Sequence, residues 1–185
     1  ATGSQANIKA AYSSGTPAFG VGAGNVSVIV HRSANLAAAA ERIVRSKTFD
    51  NATSCSSENS VVIDAAVYQP ALTALVAQGC VLLDGNEKAQ LQAALFPGGK
   101  LSGDLTAKTA GDIARAAGIL RAANARVLMV EEDGVGPEFP FSGEKLSPVL
   151  AVYRADDFDA AAARVAAIYG HQGAGHSVGL HAAPE

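Results

Sequence analysis

The sequence predicts an α/β fold, a mostly parallel sheet flanked by helices, and three observations carry that expectation. Strand-like and helix-like stretches alternate along the 185 residues, the order a layered α/β domain requires. Hydrophobic residues make up 49% of the chain but aromatics only 5%. With so much of the remainder alanine, that balance favours closely packed helices on a sheet of Val, Ile and Leu. No internal repeat or low-complexity linker interrupts the pattern.

Residues 5–12 read as a helix behind Thr2 and Ser4. Either hydroxyl can cap the free amides of the first turn, and such a helix start is also an anion site. Gly15-Thr16-Pro17 is a turn. Gly20, Gly22 and Gly24 then precede an apolar strand, residues 26–30. A dinucleotide fingerprint follows a strand and opens a helix, so this loop is not a Rossmann fingerprint. Ser33-Ala34-Asn35 starts an alanine-rich helix running to about Ser46, with Leu36, Ile43 and Val44 on its apolar face and Arg32, Glu41, Arg42 and Arg45 outside.

The stretch Ser46-Lys47-Thr48-Phe49-Asp50-Asn51-Ala52-Thr53-Ser54-Cys55 comes next, just before a strand at 61–63. A thiol at the junction of two regular elements can be held rigidly and stay accessible, which a nucleophile needs. Its reactivity would depend on nearby N–H groups that favour the thiolate. The alternative is a small buried residue, since free cysteine is among the most buried types.

Residues 68–78 form a helix that Gly79 closes, and 80–84 are a short apolar run in which Cys80 reads as a core residue. A helix at 86–95 breaks at Pro97-Gly98-Gly99. Residues 100–108 are loop-like, 109–117 a short helix with Gly118 as its stop, and 127–130 a strand. After the acidic turn at 131–134, the loop 136–145 carries Glu144 into a strand at 148–153. Asp156-Asp157 caps a helix to Tyr169, which Gly170 ends. In the remaining tail His171, His176 and His181 stand five apart, about 140° on a helix and on alternating faces of a strand. Zinc ligands must converge, so the spacing does not make a metal site.

A net charge of −3 without a basic block gives nucleic-acid binding no support. No apolar run reaches the length of a membrane span, and no signal peptide opens the chain. The two cysteines lack metal-ligand spacing; a disulfide between them is one alternative, and a reducing cytoplasm is the simpler expectation.

The Ser-Lys-Thr-Phe-Asp-Asn run with its cysteine four residues on resembles the active-site signature of CoA-acylating aldehyde dehydrogenases. Residues 7–15, 20–26 and 144–148 resemble the same group in the same order, so the resemblance covers nearly the whole chain. It implies the aldehyde dehydrogenase catalytic-domain fold, a three-layer, mostly parallel sheet flanked by helices. Residues 1–25 would be the tail of the NAD(P)-binding domain and 26–185 the catalytic domain.

The implied reaction is oxidation of a short-chain aldehyde to an acyl-CoA with NAD or NADP, or its reverse, through a thioester on Cys55. The resemblance places His176 near the thiol or CoA, Ser4 and Gly22 against the cofactor, and Glu144 on the ribose hydroxyls. A plain helix cap for Ser4 and a structural histidine at 176 are the alternatives. Thr53, Ser54, Ser56 and Ser57 would line a pocket suited to a short aldehyde. Hydrolytic relatives carry a glutamate in the loop that here reads Gly22-Ala23-Gly24-Asn25, so a thiol acceptor is favoured over water.

Complete members are much longer and supply most of the cofactor domain and an oxyanion-binding asparagine from their first half. The expectation is therefore a partial enzyme that folds but turns over little alone. A homo-oligomer and a place in a bacterial microcompartment are compatible with the full-length form.

Overall fold

The computed structural model describes residues 5–20, 24–174 and 176–184. The expectations for Ser4 and Gly22 fall outside them. Among the described residues six strands form one sheet: β1 (Val26–Val30), β2 (Glu58–Asp64), β3 (Cys80–Leu82), β4 (Val127–Glu131), β5 (Val149–Ala155) and β6 (Val178–His181). Their order is β3-β4-β5-β2-β1-β6, and every pairing is parallel. The helices are α1 (Gln5–Tyr12), α2 (Leu36–Thr48), α3 (Tyr68–Ala77), α4 (Gly85–Leu95), α5 (Ala110–Ala116) and α6 (Phe158–His171).

Side chains alternate across a strand, and this sheet uses both faces. Val28, Val30, Val61, Ile63, Met129, Leu150 and Val152 meet Ile43, Val44, Leu72 and Leu75 of α2 and α3. On the opposite face Ile29, Val62, Leu128, Val130, Ala151 and Tyr153 meet Leu91, Leu95, Ile113, Val165 and Ile168 of α4, α5 and α6. The result is the three-layer α/β architecture that the sequence predicts. Both faces are covered, so the central strands need no polar alternation: β1 is buried at all five positions.

Local chemistry sets most boundaries. The Asn35 side chain caps α2 by accepting from Ala38 N, and Asp84 and Glu87 form a reciprocal capping box on α4. Gly79 and Gly118 take φ of +90° and +77° where the expected helices stop. Two expectations need correction. α2 continues past Ser46 to Thr48, because Lys47 is drawn onto its buried face. α6 runs through Gly170 to His171, and the left-handed glycine is Gly173 at φ +91°, packed against Asn25. The tail also adds an edge strand, β6, that the sequence does not announce. It places His171 on a helix end, His176 in a turn and His181 in a strand.

Candidate active site

In a parallel sheet all amino ends lie at one edge, and here four neighbouring strands, β5-β2-β1-β6, bring the expected site residues to that edge. Gly24 and Asn25 precede β1, residues 53–57 precede β2, Glu144 and Lys145 precede β5, and His176 precedes β6. Open α/β sheets usually bind ligands beyond the carboxyl ends of their strands. This arrangement uses the opposite edge.

Cys55 is exposed, in a turn closed by Ser57 N–H donating to Ser54 O at 3.0 Å. The approach to that turn is unusual backbone: Asp50, Asn51 and Ala52 take φ of 47°, 50° and 61°. Consecutive left-handed residues that are not glycine carry strain of about 1–2 kcal/mol each. Side chains hold them there. The Thr53 hydroxyl reaches Asp50 O at 2.8 Å and Asp50 Oδ2 at 2.6 Å, and Asn51 Nδ2 donates to Ala107 O at 3.0 Å. The Cys55 N–H has no acceptor among the described residues.

Gly24 explains how the strand ends approach so closely. A Cβ there would lie 2.6 Å from the Cys55 carbonyl oxygen and 3.0 Å from His176 Cδ2. The glycine therefore sits between the cysteine turn and the imidazole, brought together across 121 residues. Ser177 N–H donates to His176 Nδ1 at 2.9 Å, which fixes Nδ1 as the acceptor and leaves the proton of the neutral ring on Nε2.

Glu144 is half-buried, and burial raises its carboxyl above the ordinary carboxylate range against the pull of Lys145 and Lys47. Its N–H donates to Gln172 Oε1 at 2.9 Å, while Asn25 Nδ2 donates to Ser142 O at 2.8 Å. Lys145 is fully buried: its N–H donates to Asn59 Oδ1, and its ammonium to Phe141 O at 2.6 Å and Gly143 O at 2.8 Å. Side-chain amides thus tie the β5 approach to the starts of β1 and β2 and to the end of α6.

Lys47 is the least expected member. It is completely buried, and its Nζ has no hydrogen-bond partner among the described residues. Desolvation lowers its pKa to about 7, opposed by the charges of Glu58 and Glu144. Among the described residues, no group of three His, Cys, Asp or Glu side chains is placed to hold a metal ion, and no helix is long and apolar enough to cross a membrane.

No protein-family model matches the chain. Over 183 residues it is 60% identical to a sulfoacetaldehyde dehydrogenase (acylating) of Cupriavidus necator, covering 98% of this chain and 37% of that protein. The crystal structure of an acetylating aldehyde dehydrogenase from Geobacillus thermoglucosidasius matches with a TM-score of 0.95 at 41% identity, over 99% of this chain and 40% of that one. The chain is homologous to the acylating aldehyde dehydrogenases. A third member, the propionaldehyde dehydrogenase of Rhodopseudomonas palustris with bound CoA and an acylated cysteine, matches at TM-score 0.85 and 26% identity, over 98% of this chain and 41% of that one. The chain thus spans about two-fifths of the length of these acylating aldehyde dehydrogenases.

Sequence reasoning about the site missed Lys47, Lys145, Asn25 and Gln172. For Lys47 a signal exists: it follows Ile43 by four residues and Val44 by three, which puts it on the apolar stripe of α2. Asn25 and Gln172 carry no such mark, because their partners lie 117 and 28 residues away in sequence.

Proposed function

We propose that this chain is the thiol-bearing portion of an acylating aldehyde dehydrogenase, with Cys55 as the nucleophile that carries the acyl group. The observation that supports this best is the setting of Cys55. It is exposed in a fixed turn with a backbone N–H that has no acceptor among the described residues, while Cys80 is buried and its thiol pushed up to about 12 by desolvation.

The Cys55 thiolate adds to the aldehyde carbonyl, forming the C–S bond while the π pair moves to oxygen. The Cys55 N–H, and the Nε2–H of His176 across Gly24, are the donors available to the developing oxyanion. Loss of hydride from the carbon restores the C=O bond and leaves a thioester on Cys55. The hydride acceptor would be the nicotinamide that a bound NAD or NADP supplies. The Glu144 carboxylate fits such a cofactor: it is half-buried, anchored through its own N–H, and able to accept two ribose hydroxyls. The thiolate of CoA then adds to the thioester carbonyl, and collapse expels the Cys55 thiolate and releases acyl-CoA. The loop residues beside the thiol, Gly24 and Asn25, have no carboxylate to activate water, which favours the thiol acceptor.

Residues 1–25 form the end of a cofactor domain in this reading, and 26–185 the catalytic domain. Cofactor residues in the remainder of such an enzyme are needed for hydride transfer, so the 185 residues alone form little NADH from aldehyde and CoA.

The last step run backwards needs no cofactor and provides the test. Incubation with acetyl-CoA should add one hydroxylamine-labile acetyl group, located on Cys55 by mass spectrometry and absent from Cys55→Ala. An adduct on Cys80, or an unchanged adduct in Cys55→Ala, would refute the assignment.

A further inference from the structure

Among the described residues, five that are not glycine take positive φ: Asp50, Asn51, Ala52, Ala107 and Leu146. They come from three separate stretches of chain, yet hydrogen bonds join them. Asn51 Nδ2 donates to Ala107 O at 3.0 Å, and Ala107 N–H donates to Leu146 O at 3.0 Å. Asn59 closes the path from the other side. Its Nδ2 donates to Ser57 O at 3.4 Å, and its Oδ1 accepts from Lys145 N–H at 3.0 Å. These bonds make a ring: along the chain from 51 to 59, across Asn59 to Lys145 and Leu146, and back through Ala107 to Asn51. Cys55 lies on the first arc of that ring, and Glu144 adjoins the second.

Ala107 has the least reason of these residues to be held on its own account. It is exposed, lies between α4 and α5, and has a single methyl group as side chain. Left-handed backbone is sterically disfavoured for alanine and persists only where the surroundings over-determine it. Two ring bonds, one to each backbone group of Ala107, supply that constraint. The left-handed residues at 50–52 and at 146 are therefore braced against each other through one peptide-linked alanine. A displacement at either end is passed to the other.

We infer that Ala107 is a positioning residue for the reaction: through its N–H and its carbonyl it sets the cysteine turn and the Glu144 loop as one unit. This rests on the roles proposed above for Cys55 and Glu144. Hydride leaves a carbon bonded to Cys55 for a nicotinamide whose ribose Glu144 would hold. The spacing of the two residues therefore fixes the distance of transfer, and small misplacements of reacting groups are costly. A carbonyl carried on Cys55 must likewise keep its oxygen against the Cys55 N–H, which moves with the turn.

The test cuts the ring at Ala107. Proline there removes the N–H and cannot take a positive φ, whereas glycine keeps both bonds and takes that φ freely. Ala107→Pro should slow acetyl transfer from acetyl-CoA to Cys55 by about 100-fold. Alkylation of Cys55 by iodoacetamide develops no oxyanion and should change far less. Burial holds the Glu144 carboxyl above the ordinary range, so in Ala107→Pro, released toward water, it should titrate lower by NMR. Ala107→Gly should match the wild type in both readouts. Asn51→Gly opens the neighbouring ring bond and keeps the left-handed backbone, so it should move both in the same directions, and it serves if the proline variant does not fold. Wild-type acetyl transfer and titration in the cut ring, or a change at one end alone, would overturn the inference while leaving Cys55 as nucleophile. An equal loss in Ala107→Gly would assign the effect to the methyl group and overturn it too. If the wild-type chain takes no acetyl group on Cys55, the nucleophile reading itself fails and the inference goes with it.

Discussion

Gly24 lies between the cysteine turn and His176, where any side chain would press a methyl carbon to 2.6 Å from the Cys55 carbonyl oxygen. The contact is to backbone, which a rotamer change cannot relieve. Gly24→Ala should therefore displace the Cys55 turn, lower stability by about 1–3 kcal/mol and slow iodoacetamide labelling of Cys55. Thermal unfolding and labelling kinetics on one sample separate the two effects. If the labelling rate is unchanged while stability falls, the glycine supports folding only. Gly24→Ser should do the same, because the hydroxyl cannot shorten the approach. Single residues of this kind were partly legible beforehand. Cys55 and Glu144 were marked by motif, but the reason for Gly24 was not, since it depends on a carbonyl thirty-one residues away.

The segment after α2 shows the same division between local and distant causes. Asp50, Asn51 and Ala52 all lie in the left-handed region, which asparagine and aspartate tolerate through local hydrogen bonds and alanine does not. The Asn51 side chain also fastens the kink to Ala107. Asn51→Ala removes both supports and should cost about 1–2 kcal/mol, measured by urea unfolding. Asn51→Gly keeps the backbone freedom and loses only the side-chain bond, so its cost should be smaller. Equal costs for the two would show that backbone strain plays no part. The Asp-Asn pair was visible in the sequence only as part of the Ser46–Cys55 stretch. That three consecutive residues would be left-handed was not, because the Asn51–Ala107 bond comes from a loop outside the helix. The end of α6 follows the same logic: Gly170 looked like the stop, yet Gly173, packed on Asn25, takes the left-handed turn.

The molecule as a whole determines how much charge its site edge contains. Lys47 and Lys145 are both fully buried, and Glu58 and Glu144 act on Lys47 through space. Burial lowers the pKa of Lys47 from its usual 10.5 to about 7. Between those values the unfolded chain binds a proton that the folded chain has released, so stability rises with pH across that window. Below about 7 the penalty is fully present, and above 10.5 it is gone. Lys145 shifts in the same direction. Melting temperatures at pH 7 and pH 9.5 should show the wild-type protein gaining stability at the higher pH, and Lys47→Met gaining less. The variant should also be the more stable of the two at pH 7, as expected when an unpaired buried cation is replaced by an apolar chain of similar volume. Identical pH responses would show that Lys47 does not titrate in this range. The same substitution removes a positive charge that lowers the Glu144 pKa, so Glu144 should protonate at higher pH in Lys47→Met, which a carboxylate titration by NMR would detect.

By itself the sequence determined the α/β class, the mostly parallel sheet, the N-caps of α2 and α6 and the cysteine stretch. These follow from alternating element signals, apolar spacing and short-range motifs, all properties of neighbours along the chain. Only the tertiary structure decided that the candidate site residues meet at the amino edge of β5-β2-β1-β6, that Gly24 lets His176 meet the cysteine turn, and that Lys47 is buried without a hydrogen-bond partner among the described residues. The physical reason is separation. A parallel sheet aligns strand ends that lie tens to more than a hundred residues apart, and the hydrogen bonds and charges that meet there leave no local signal on either side.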